Sequence, residues 1–187
     1  MSKANRLRLI NTIRFFAERM GNVGTVKLLK LIYLLDFEHF QKTGRSVTGL
    51  EYQAWKLGPV PLELHKEWKS GFNEDLARLV SIKPERLIDH VRHTLVPTEG
   101  VAFDDSFFTP RQLGIMTELA ERYGDSYADK MIDVTHSQNG AWEKVWRDGE
   151  GRNEVIPYEL AIPRDSDSRS DVLEAAYMHA AFERAVA

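Results

Sequence analysis

The chain contains no cysteine. It can therefore form no disulfide, no thiolate metal site and no cysteine nucleophile, a composition that fits a reducing cytoplasm. It also lacks any apolar run near the roughly 18 residues of a membrane span, and no membrane association is expected. The first residues mix Arg6 and Arg8 with Leu7, Leu9 and Ile10, which is amphipathic rather than signal-like. Neither glycine-rich phosphate pattern is present, nor is a nucleophile elbow. The zincin pair of histidines four apart is missing as well, since 36–39 reads Asp-Phe-Glu-His. No cofactor is expected, and enzyme classes built on those motifs drop out.

What remains is an ordinary globular composition. At 187 residues and 43% hydrophobic, the chain suits one domain with a substantial core. A net charge of -3 gives no general reason to expect nucleic acid. The charge is nonetheless uneven: Lys3, Arg6, Arg8, Arg14, Arg19, Lys27 and Lys30 face Glu18 alone within the first 30 residues. Such a stretch is either a solvated helix face or a basic surface for an acidic partner, with Arg6 and Arg14 as candidate interface residues.

The stretch 25–40, TVKLLKLIYLLDFEHF, is apolar on nearly every side. It predicts a buried central helix over about 25–43, capped by the Thr25 hydroxyl and closed by Gly44. Asp36 and His39, three apart, fall on the same stripe as Leu28, Leu29, Ile32 and Leu35. A buried charge needs partners.

Around this helix the pattern is mainly helical with a small antiparallel sheet, an α+β class. Leu9, Ile10, Ile13, Phe16, Ala17 and Met20 mark an amphipathic first helix over 5–20. EYQAWKL alternates as a short strand, and Gly58-Pro59-Val60-Pro61 reads as a rigid corner. A short helix is expected after it, with Pro61 in its first turn. His90 to Val96 and 101–103 suggest a hairpin that pairs with the Tyr52 strand. Thr109, Pro110 and Gln112 form a capping box for a helix through Tyr123. Further helices are expected from Asp125 or Ser126 to His136 and around Trp142 and Trp146. The polar run 165–171 reads as a linker before a terminal helix from Asp171, so that a compact domain over 1–163 precedes a linker and helix over 164–187.

Three groups of residues carry candidate chemistry. Asp36, His39 and His136 together suit a structural polar network, a zinc or iron ligand set, or a carboxylate-oriented base. The Gly58 to Pro61 corner beside Trp55 is either a structural bend or a preorganised recognition element. Trp142, four residues before Trp146, belongs either to the core or to an interface.

These residues also carry a resemblance. KLLKLIYLLDFEHFQKTGRSVTGLEYQAWKLGPVP resembles the signature of the Panacea domain, the SocA-like or phage-associated family. The matching positions are Lys27, Leu28, Lys30, Leu31, Asp36, His39, Thr48, Gly49, Tyr52, Ala54 and Gly58 to Pro61. In the second half, the helix from Thr109, the YGDSYADKMIDVTH segment with Thr135 and His136, and Trp142 also resemble the family. The similarity spans about 5–160. It departs at Thr109-Pro110-Arg111-Gln112, where the family has Leu-Ser followed by acidic residues. The resemblance implies a cytoplasmic antitoxin rather than an enzyme, one that neutralises a cognate protein toxin by direct binding. One branch of the family instead acts as an adaptor to the ClpXP protease, and a metal- or ligand-dependent enzyme using Asp36, His39 and His136 is a third reading. On the leading reading Asp36 and His39 tie the Gly58 to Pro61 corner and the His136 segment to the central helix.

Overall fold

The computed structural model describes residues 1–21, 23–86, 91–137 and 140–186. Two long helices form its axis. Helix α1 (Lys3–Arg19) is capped by the Ser2 hydroxyl and buries Leu9, Ile10, Ile13, Phe16 and Ala17. Helix α2 (Thr25–Thr43) follows, with Leu28, Leu31, Ile32, Leu34, Leu35 and Phe37 fully enclosed. The expected bounds of α2 are met, but its N-cap is Gly24 and no side chain caps it. The reason lies in tertiary pairing. Val23 accepts the Leu95 amide and Gly24 bridges Thr94, which holds 23–24 extended up to the residue before Thr25. At the other end Gly44 adopts the left-handed conformation that the sequence suggests.

Next come strands β1 (Tyr52–Trp55) and β2 (Gly58–Pro61), then α3 (Leu62–Ser70), the single turn α4 (Glu74–Ala77), and strands β3 (Val80–Arg86) and β4 (Val91–Pro97). Helix α5 (Pro110–Tyr123) starts with the full Thr109–Gln112 capping box. Helices α6 (Ala128–Ser137), α7 (Ala141–Trp146) and α8 (Arg169–Val186) complete the chain. Helix α2 touches α1, α3, α5, α6, α8 and β2. It is the hub of one apolar core, as expected of a helix with no polar face. The fold is mainly α with antiparallel β, the class read from the sequence.

The sheet arrangement differs from expectation. β1 pairs with β2, and β3 with β4, so there are two separate hairpins among the described residues. His90 lies outside the described residues. Two causes explain the difference. Strand β3 carries Lys83, Pro84, Glu85 and Arg86, which hide its extended pattern. The expected corner is itself a strand: Val60 pairs with Gln53 and Gly58 with Trp55, while Pro59 and Pro61 occupy the alternate positions. There the backbone faces away from β1, because Tyr52 and Ala54 direct their hydrogen bonds to 153–156 on the other side. A proline at those places interrupts no ladder bond. Pro61 is the N-cap of α3 rather than part of its first turn.

The C-terminal segment also differs. Helix α8 begins at Arg169, inside the polar run, and packs on the end of α2 through Phe40, Ile162 and Val172. Arg169 donates to the Ile162 carbonyl at 2.9 Å.

Candidate functional site

Asp36 sits with no exposed surface, four residues before Phe40 on α2. Its Oδ1 accepts the amides of Val47 and Thr48, both at 2.8 Å. Its Oδ2 accepts the Thr48 hydroxyl and the Tyr52 hydroxyl, the latter at 2.8 Å. The Tyr158 hydroxyl, which donates to the Leu50 carbonyl, lies 3.3 Å from the same oxygen. Burial raises the Asp36 carboxyl above the ordinary range and the Thr48 and Tyr52 donors oppose that rise. Burial and the Asp36 charge push Tyr52 and Tyr158 well up, so both remain neutral hydroxyls.

One turn later His39 donates from Nδ1 to the Arg45 carbonyl at 2.7 Å. The bond fixes the tautomer. Burial lowers the imidazole's pKa, partly offset by that carbonyl. Asp36 and His39 thus both clamp the turn that follows α2. They do not reach the 58–61 segment or His136, and the expected single network of Asp36, His39 and His136 is two separate ones. The helical period explains the split: Lys30, six residues before Asp36, lies roughly 120° round the helix and faces the other way.

That other face carries the second network. Lys30 is 3% exposed and donates from Nζ to the Pro59 carbonyl at 2.9 Å. Burial pulls its pKa down to about 7. Directly above it Gly58 has a φ of +98°, and a methyl there would stand 2.6 Å from Lys30 Nζ, 3.1 Å from Thr135 Oγ1 and 3.3 Å from His136 Nε2. Only glycine fits. His136 stacks on Trp142 at 3.8 Å with a 3° interplanar angle, and its Nε2 is enclosed without a hydrogen-bond partner. Burial and the neighbouring Lys30 charge lower its pKa. Trp142 is core: it is 6% exposed, donates to the Trp55 carbonyl at 3.0 Å and stacks on Trp146.

Above Lys30 the β1–β2 hairpin, α3 and the start of α2 enclose an open groove of about 470 Å³. Leu29, Val26, Trp55 and Val60 form its apolar floor and walls, and Leu57, in the turn between the strands, is 59% exposed at its lip. Trp55 meets His65 edge-on at 5.0 Å. The charged side chains around the groove are Lys56 and Arg152, with His65 beside them and the enclosed Lys30 beneath, and among the described residues no carboxylate lines it. Such a surface suits an apolar side chain flanked by acidic ones. Lys56, Leu57, His65 and Arg152 carried no sequence signal of their own. Leu57 and Lys56 flank the recognisable Gly58 segment, which is the one clue available.

Arg6 and Arg14, expected at an interface, are engaged within the chain. Arg6 forks onto both oxygens of Glu67 at 2.7 Å and onto Asp75 at 2.6 and 2.7 Å. Arg14 is 5% exposed and donates to the Leu79 and Thr98 carbonyls at 2.6 and 2.9 Å. Arg6 is thus matched by carboxylates of α3 and the α4 turn, and Arg14 by Glu18 within α1 and by carbonyls flanking the β3–β4 hairpin, so the basic run does not form one patch. Lys27 likewise donates to the Gly124 carbonyl. No group of three or more His, Asp or Glu side chains among the described residues is placed to hold a metal ion, and no helix among them is long and apolar enough to cross a membrane.

No curated protein and no solved structure matches the chain. The family described as antitoxin SocA-like, Panacea domain, matches residues 28–143. That interval takes in Asp36 with its 47–52 donors, the Lys30 and Gly58 contact, Trp55 and the β1–β2 side of the groove, and Trp142, while Val26, Arg152 and Tyr158 lie outside it; it covers more than half of the sequence, and the chain belongs to this family.

Proposed function

We propose that the chain is an antitoxin that neutralises a cognate protein toxin by direct binding, and that the groove beside Trp55 receives it. Membership in the SocA-like antitoxin family supports the antitoxin role in general, and neutralisation by direct binding is the reading built on it. The groove supports the second: it joins an apolar floor, an exposed Leu57 and a basic surround without a carboxylate. The occupant is accordingly an acidic segment of the toxin with one apolar side chain as anchor. Buried apolar anchors dominate interface energies, while charges at the rim set association rate and partner choice.

The test is growth rescue. A toxic reading frame encoded beside the chain should become harmless when the chain is coexpressed, and the two proteins should copurify. Leu57→Glu, at a solvent-facing turn, should leave the thermal melt unchanged yet weaken the complex at least tenfold and abolish rescue. Absence of rescue by the unaltered chain overturns the antitoxin reading; intact rescue by Leu57→Glu overturns only the groove.

A further inference from the structure

A second cleft, of about 700 Å³, opens over the His39 side of α2, about 180° round that helix from Lys30, between α1, the turn after α2, the start of α5 and α8. Arg8, Arg45 and Arg111 line it from three different elements, and His39 forms part of its floor at 5% exposure. Among the described residues no carboxylate lines it. The adjoining cleft, which shares Arg8 and Arg45, holds Glu159 and Glu183, and Glu183 stands 3.4 Å from His179 Nε2 on the α8 wall. Arg8 holds only the Asn5 side chain through one nitrogen, and its Nε is enclosed with no partner.

We propose that this cleft binds a small phosphate ester. Converging like charges repel one another, and the arrangement is stable in the presence of an anion that they share. Guanidinium groups present paired N–H donors that match the oxygens of a phosphate. Helix α5 points its positive end at the same space, although Pro110 has no N–H and the Gln112 amide is taken by Thr109, so its contribution is a field rather than a set of donors. The arginine charges themselves are felt within the fold: burial lowers the pKa of His39, the Arg45 carbonyl opposes that, and the Arg111 and Arg8 charges lower it further. The cleft is much larger than a bare phosphate, falls in the size range of small-molecule sites, and has Phe107 in its wall as a flat apolar surface for the organic part. Arg8 and the α8 wall lie outside the 28–143 interval that matches the family.

Calorimetric titration of the full chain at low salt, where charge interactions are least screened, tests the assignment with AMP, ATP and inorganic phosphate as titrants. Saturable binding of a nucleotide, tighter than that of inorganic phosphate and at least tenfold weaker in the Arg45→Ala/Arg111→Ala double variant, is the expected result. Arg78→Ala removes a 79% exposed charge just after α4, outside the cleft, and should bind as the unaltered chain does. Arg45 and Arg111 are exposed, and the double variant should keep the unliganded melting temperature; Arg111→Ala alone carries the same test. No saturable nucleotide binding, binding no tighter than that of inorganic phosphate, or an equal loss in Arg78→Ala overturns the proposal.

Discussion

Lys30 is the residue whose energetics are most exposed to experiment. It is enclosed, it holds one carbonyl, and its folded pKa of about 7 lies below the ordinary 10.5. Between those two values the unfolded chain binds more protons than the folded one, so this residue makes stability rise with pH through that window. The melting temperature should climb from about pH 7 to about pH 9.5, and Lys30→Met should remove most of the climb. Lys27, lowered by burial in the same direction, leaves a residual slope. The window stops short of tyrosine titration, where Tyr52 and Tyr158 act with the opposite sign because their folded pKa values are raised. A profile equally steep in the Lys30→Met variant would contradict the assignment. The sequence placed Lys30 in a recognisable motif but gave no hint of this role. Its partner is a backbone carbonyl 29 residues away, and carbonyls have no signature in a sequence. The same holds for His39, whose acceptor is also a main-chain oxygen.

Among the elements, α8 has the least usual attachment. Gly44 ends α2 at a φ of +70°, and a methyl on it would stand 2.5 Å from the Val172 carbonyl oxygen and 2.7 Å from the Ala176 amide. The glycine that closes one helix is therefore the seat of another. Gly44→Ala should cost about 1 to 2 kcal/mol in left-handed strain and lift α8 from its seat. Hydrogen exchange provides the readout: amides from Val172 onward should exchange faster while those of α1 and α5 keep their protection. Uniform acceleration throughout, or none, would count against this seating. The sequence showed the helix and concealed its docking, since the contact is glycine against backbone, with a small apolar cluster of Phe40, Ile162 and Val172 and the half-buried Tyr158, Leu173 and Ala176 as support. By contrast, α1, α2 and α5 were legible because their apolar periodicity or their caps lie within a few consecutive residues. The hairpins were not, since strand pairing is a long-range choice and β2 carries prolines in a pattern that reads as a bend.

For the molecule as a whole, Asp36 is the point where distant segments meet. It holds 47–48 and Tyr52 directly and touches Tyr158, 122 positions along the chain. Asp36→Ala would leave two amides and two hydroxyls buried without their acceptor, and should destabilise the protein by roughly 3 kcal/mol or more. Urea denaturation should show the midpoint falling in one concerted transition by fluorescence and by circular dichroism. A midpoint unmoved by the change would contradict the central place given to this carboxylate. The sequence exposed Asp36 as a polar intruder that needed partners, but a carboxylate does not specify which donors it finds. One consequence for assembly follows from Pro59 and Pro61. Their outward positions leave the far side of β2 without an amide donor, the Pro59 carbonyl there is already taken by Lys30, and the strand is buried against α2 and α6. A partner docking beside Trp55 therefore cannot add a strand to this sheet through β2, whether as a bound peptide or as a seed for aggregation.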